Sequence, residues 1–166
     1  MSRTTHPPVE GWKPPTALER KSILDRTESI AIIGASKNPG RASNFVATYL
    51  LSSSTNYRVY LVNPRETEIL GQPVYASLAD LPEVPDIADV FRKSEDLPEV
   101  AAEAISVGAK VFWAQLGLWN ADAATAATAA GLDVVMDRCT KVEHARFAGG
   151  LHLAGFDTGV ISSRRR

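Results

Sequence analysis

The chain has one cysteine, Cys139, in 166 residues, so no disulfide can close within it and a reducing compartment suits it. It has no apolar run near the about 18 residues that a bilayer crossing needs. Its first fifteen residues are polar and hold Pro7, Pro8, Pro14 and Pro15, with no apolar stretch of the kind a secretory signal carries. Charge of one sign is also lacking: 18 basic against 19 acidic residues leave a net charge of -1. No bulk field therefore calls for nucleic acid or an anionic membrane surface. The run Arg164-Arg165-Arg166 reads as a solvated tail. Histidine is scarce, and His6, His144 and His152 show no metal-ligand spacing with Cys139, so no metal site is expected. These absences leave a cytoplasmic globular protein as the expectation.

What is present is an alternation of strand and helix patterns. After the Pro-rich arm of residues 1–16, Thr16-Ala17-Leu18-Glu19 has the spacing of a capping box and predicts a helix over 17–26. Short apolar runs end at turn residues: Ile30–Ile33 at Gly34, Arg58–Val62 at Asn63-Pro64, Asp86–Phe91, Lys110–Ala114 and Leu132–Met136. Between them, Phe45, Val46, Tyr49 and Leu50 recur at helical spacing, as do Leu97, Val100, Ala101, Ala104 and Ile105 before a stop at Gly108. Asn120 can cap an alanine-rich helix that Gly131 closes, and Ser77–Asp80 fits a single turn. Gly71-Gln72-Pro73 reads as a turn. The class expected is α/β, a Rossmann-type open parallel sheet of five main strands in the order 3-2-1-4-5 with helices on both faces. The domain spans residues 17–147, and residues 148–166 form an extension or tail.

In such a sheet a ligand sits outside the carboxyl ends of the strands, where strand order reverses. The loop Gly34-Ala35-Ser36-Lys37-Asn38-Pro39-Gly40-Arg41 lies between a strand and its helix. Small residues there let a diphosphate approach backbone N–H groups and the positive end of the helix, with Ser36, Asn38, Lys37 and Arg41 at hand. A packing turn is the alternative, since Ser36 stands where a G-x-G-x-x-G loop has its second glycine. At the end of the second strand an NAD site wants a carboxylate for the adenosine ribose, and this chain has Asn63, Pro64 and Arg65. Arg65 can meet a phosphate on that ribose, as in NADP or coenzyme A. Val90, Phe91, Arg92 and Gln115 lie at other strand ends, where they can wall a ligand or belong to the core. Cys139 reads as a passive thiol, a nucleophile with His144 as its base being the alternative.

Six segments in order carry a family resemblance. Gly34–Pro39 with Arg41, Asn63-Pro64, Leu70–Tyr75, Asp89–Arg92, Trp113–Gly117 and Val135–Cys139 resemble the CoA-binding domain. That Rossmann module also opens the succinyl-CoA synthetase alpha subunit, and stand-alone bacterial CoA-binding proteins resemble this chain more closely. The resemblance covers residues 17–147. It implies that Gly34, Ala35, Ser36 and Arg41 meet the diphosphate region of coenzyme A. It implies also that Asn63, Pro64 and Arg65 border the adenosine 3′-phosphate, and that Val90, Phe91 and Arg92 flank the adenine or pantetheine. The synthetase has lysines just after its second strand, where this chain has Arg65. Nothing after Phe147 matches the synthetase's phosphohistidine domain, so the expectation is binding of coenzyme A or an acyl-CoA without turnover. A small NADP-dependent oxidoreductase and a thioester enzyme using Cys139 are the alternatives. Fold-level analogy alone suggests a homodimer.

Overall fold

The computed structural model describes residues 6–148. The expected extension beyond Ala148 lies outside the described residues. Helix α1 (Ala17–Arg26) begins with the full capping box: the Thr16 side chain accepts from the Glu19 N–H, and the Glu19 carboxylate accepts from the Thr16 N–H at 2.8 Å. Strand β1 (Ser29–Ile33) follows, then α2 (Ala42–Leu51), β2 (Arg58–Val62), a hairpin of β3 (Glu68–Ile69) and β4 (Gln72–Tyr75), and β5 (Ile87–Val90). Helix α3 (Leu97–Val107), β6 (Val111–Ala114), α4 (Ala121–Ala129), β7 (Asp133–Val135) and α5 (Thr140–Ala148) complete the order.

The sheet runs β3-β4-β2-β1-β5-β6-β7, and every pairing except β3 with β4 is parallel. Among the parallel strands the order is thus 3-2-1-4-5-6, with β4 as the third. The class expected from the sequence holds, but the strand beside β2 is not the expected one. The expected order puts Asp86–Phe91 beside β2, yet β5 pairs with the other side of β1, Ile32 lying against Asp89. The place beside β2 belongs to Gln72–Tyr75, whose register with β2 is only Leu61 to Val74 and Val62 to Tyr75. The turn expected at Gly71 is real but begins one residue earlier, with Leu70 at φ 54° and Gly71 at φ 72°. Positive φ at both central residues is the type I′ geometry that matches strand twist, usually signalled by Asn-Gly.

Alternation along the strands sorts side chains into two layers. Ala31, Ile33, Ala88, Val90, Phe112 and Ala114 face α3 and α4. Alanines at 101, 104, 123, 124 and 127, all fully buried, let these two helices pack closely. Ile30, Ile32, Ile87, Val111 and Trp113 face α1, α2 and α5. On α2 the buried positions are Ser43, Asn44, Val46, Ala47 and Leu50, so the face is turned from the one expected and Phe45 is left 57% exposed. Helix α5 is an addition to the sequence reading. A buried ion pair fastens it to α1: Arg20 Nε donates to Glu143 Oε1 at 2.6 Å, and Arg146 Nη1 lies 3.5 Å from Glu143 Oε2. The described part of the N-terminal arm is packed too. Val9 and Trp12 enter the α3–α4 layer, where Trp12 Nε1 donates to the Val134 carbonyl at 2.9 Å.

Candidate functional site

Strand order reverses between β1 and β5, so the crevice opens beside Gly34 and Phe91. The two strand ends touch there. The Phe91 N–H donates to the Ile33 carbonyl at 2.9 Å, and a Cβ on Gly34 would lie 2.6 Å from the Phe91 oxygen. With φ at +88° as well, only glycine fits.

The loop after Gly34 is built to leave some amides free. Gly34 and Ala35 N–H groups both donate to the Val62 carbonyl, at 3.0 and 3.2 Å, which ties the loop to β2. Asn38 N–H donates to Ser36 Oγ, Gly40 N–H to Asn38 Oδ1, and Arg41 N–H to the Asn38 carbonyl. Asn44, which the sequence reading did not single out, donates its Nδ2 to the Ser36 carbonyl at 2.9 Å. The N–H groups of Ser36, Lys37, Ala42 and Ser43 have no hydrogen bond among the described residues. Helix α2 starts without a side-chain cap and without an acidic residue in its first turn. Uncapped amides at the positive end of a helix favour an anion, and a diphosphate matches their number. Of the residues expected to meet a diphosphate, Gly34, Ala35 and Arg41 spend their N–H groups within the protein, and Ser36 keeps its own free.

Asn63 is a brace at the end of β2. Its Nδ2 donates to the Ala35 carbonyl at 2.7 Å, and its Oδ1 accepts from the Arg65 N–H at 2.8 Å. Both ends of the amide are therefore occupied within the protein. Pro64 and Arg65 are exposed beside it.

The cations divide into two groups. Lys37 Nζ lies 3.5 Å from Glu66, and Arg92 Nη2 lies 3.2 Å from Asp96, while Arg41 and Arg65 make no ion pair among the described residues. Phe91 is half-buried against the α1–α2–α5 layer. Two expected contacts do not reach the crevice. Val90 is fully buried, because strand alternation turns its side chain into the α3–α4 layer. Gln115 is 4% exposed, and its Oε1 accepts from both the N–H and the hydroxyl of Thr140, at 3.1 and 3.0 Å.

Cys139 is half-buried and precedes α5, its carbonyl accepting from the Glu143 N–H at 2.9 Å. His144 does not serve it: His144 Nδ1 is 2.8 Å from the Tyr49 hydroxyl, and burial holds its pKa below the ordinary histidine value. Among the described residues no cluster of His, Cys, Asp or Glu could hold a metal ion, and no helix is long and apolar enough to cross a membrane.

Comparison with known proteins agrees with this geometry. The family described as a CoA binding domain matches residues 28–145. The Bacillus subtilis protein YneT is 41% identical over 131 residues, covering 79% of this chain and 96% of its own. A hypothetical protein from Pyrococcus horikoshii superposes with a TM-score of 0.77 at 39% identity, over 83% of this chain and 98% of that one. An ADP-forming acetate–CoA ligase of Archaeoglobus fulgidus is 32% identical over 83 residues, which is half of this chain and 12% of the ligase.

Proposed function

The chain belongs to the CoA binding domain family, and we propose that it binds coenzyme A or an acyl-CoA in the β1–β5 crevice without turning it over. The observation that carries this reading is the set of free amides at Ser36, Lys37, Ala42 and Ser43, set at the uncapped start of α2. In it the diphosphate takes these N–H groups, with Arg41 at the helix entry. Arg65 meets the 3′-phosphate, and Phe91 and Arg92 border the adenine or pantetheine. Val90 and Gln115 support the floor from below. The lack of a carboxylate at the end of β2 weighs against NAD. The protein then acts in the cytoplasm as a carrier, sensor or partner subunit. A thiol-dependent reaction at Cys139 finds less support, since His144 is engaged by Tyr49.

Titration of coenzyme A, dephospho-CoA, acetyl-CoA, NAD and NADP, followed by heat and by melting temperature, tests the proposal. Coenzyme A at about a hundredfold excess over Kd should add about 2.7 kcal/mol of stability. A response to NADP with none to coenzyme A overturns it.

A further inference from the structure

A buried polar chain runs beneath the crevice through Gln115, which supports its floor. Asp89, in the middle of β5, is fully buried on the α1–α2–α5 side of the sheet. Its Oδ2 is 2.8 Å from Thr140 Oγ1, and its Oδ1 has no hydrogen-bond partner. Thr140 opens α5 and also touches Gln115 twice.

The Thr140 hydroxyl faces two acceptors. The Thr140 N–H can only donate, so the Gln115 atom 3.1 Å from it is the amide oxygen. That oxygen lies 3.0 Å from Thr140 Oγ1, and Asp89 Oδ2 lies 2.8 Å from the same hydroxyl, so one proton is shared between two oxygens while Asp89 is ionised. A proton on the Asp89 carboxyl relieves this shortage, because Asp89 then donates to Thr140 and the hydroxyl proton serves Gln115.

We propose that Asp89 is a neutral carboxylic acid that donates to Thr140, and that its ionisation at alkaline pH rearranges the hydrogen bonds that seat the start of helix α5 beside the crevice. An ionised Asp89 takes the Thr140 hydroxyl proton for itself, and Gln115 then loses one of its two donors. The buried charge left behind has one oxygen without a partner, which is costly in a dry layer.

Among the described residues no ion pair reaches Asp89. The titratable groups on the elements of this layer and the segments that enter it are Glu19, Arg20, Lys21, Asp25 and Arg26 on α1, Tyr49 on α2, Tyr57 before β2, Arg138 and Cys139 before α5, and Lys141, Glu143, His144 and Arg146 on α5. Arg20 and Arg146 engage Glu143, Lys21 engages Asp25, Arg26 engages Asp133, Glu19 is held in the capping box, and Tyr49 meets His144. Lys141 lies over the Phe45 and Tyr49 rings, 5.9 Å from each centroid. Burial accordingly pushes the Asp89 carboxyl up to about 8, with donation from the Thr140 hydroxyl to the ionised form working the other way.

The test is the Asp89→Asn variant, whose amide N–H2 can donate to Thr140 as the neutral acid does. In the unfolded chain the acid ionises near about pH 4, and in the folded protein only near about pH 8. Wild-type stability therefore loses a contribution steadily across that window as pH rises, and D89N does not. We expect D89N to melt at least as high as wild type at about pH 7, with the gap growing up to about pH 8. A D89N protein that melts lower at neutral pH, or shares the wild-type slope, overturns the proposal. Should D89N fail to fold, carboxyl-labelled aspartate in the wild-type protein answers by NMR. One carboxyl must titrate near about pH 8, and titration of every aspartate below about pH 6 refutes the neutral acid.

A consequence for the crevice follows through Lys141, which joins the first turn of α5 to Phe45 in the first turn of α2. Affinity for coenzyme A should fall above about pH 8 in wild type more than in D89N. This last arm rests on the coenzyme A reading; if no coenzyme A binds at any pH, the melting and titration results still decide the status of Asp89.

Discussion

Replacing Gly34 with alanine tests the crevice where β1 and β5 meet. Two separate costs arise. At φ +88° a non-glycine residue pays about 1–2 kcal/mol in backbone strain. The new Cβ also lies 2.6 Å from the Phe91 oxygen and 3.2 Å from its carbonyl carbon, both backbone atoms, with Arg92 Cδ at 3.4 Å. The Phe91 N–H is bonded to Ile33, so the strand end cannot withdraw without loosening that bond. Overpacking of this kind costs about 1–3 kcal/mol. The sum of about 2–5 kcal/mol corresponds to about 5–15 °C in Tm for a domain of this size. Gly131→Ala is the matched control, with φ +93° but nothing within 4 Å of its Cβ. It carries strain alone, partly offset by about 0.4–1 kcal/mol from a stiffer unfolded chain. Thermal melts of the two variants, with coenzyme A titrated into each, separate the terms. If Gly34→Ala and Gly131→Ala lose the same stability, close approach at Phe91 is not what requires glycine, and the account of the crevice fails.

Other perturbations test single parts of the site and the scaffold. Arg65→Ala should weaken coenzyme A binding about tenfold, or about 1.4 kcal/mol, and leave dephospho-CoA binding unchanged. An equal loss for both ligands in calorimetry would remove Arg65 from the 3′-phosphate. Asn63→Asp replaces a donor with a carboxylate facing the Ala35 carbonyl, so it should cost about 1–3 kcal/mol in urea unfolding and weaken coenzyme A binding. A stable N63D protein with unchanged affinity would show that the brace is idle. Glu143→Gln leaves buried Arg20 without its anion and should cost about 3–5 kcal/mol, whereas replacing Arg20, Glu143 and Arg146 together with apolar residues should cost far less. Equal losses in denaturant melts would mean that packing, and not charge, fastens α5 to α1.

Much of the fold was legible because its signals are local. The Thr16–Glu19 box, the Gly108 stop in the left-handed region and the Asn120 cap on the Ala123 N–H each depend on residues within four positions of one another. Strand β4 was hidden for the opposite reason. It is four residues long, holds a proline and follows a Leu-Gly turn, and its pairings are a two-residue hairpin with β3 and a long-range match with Leu61 and Val62. Helix α5 has polar and charged residues at most positions, since its buried contacts include Thr140 and Glu143, so apolar periodicity could not announce it. The candidate site was legible in the same uneven way. Position along the chain located the loop of Gly34–Arg41, but not which amides Val62 would occupy. Val90 and Phe91 both stand at the end of one strand, and alternation sends Val90 into the α3–α4 layer and Phe91 to the opposite side. Asp89 shows the limit most clearly. In sequence it is one more polar residue among apolar neighbours, a pattern that normally marks an exposed strand face. Its meaning comes from Thr140 and Gln115, 51 and 25 residues from their respective partners, which supply a hydroxyl and an amide oxygen in the one place where a carboxyl group must keep its proton.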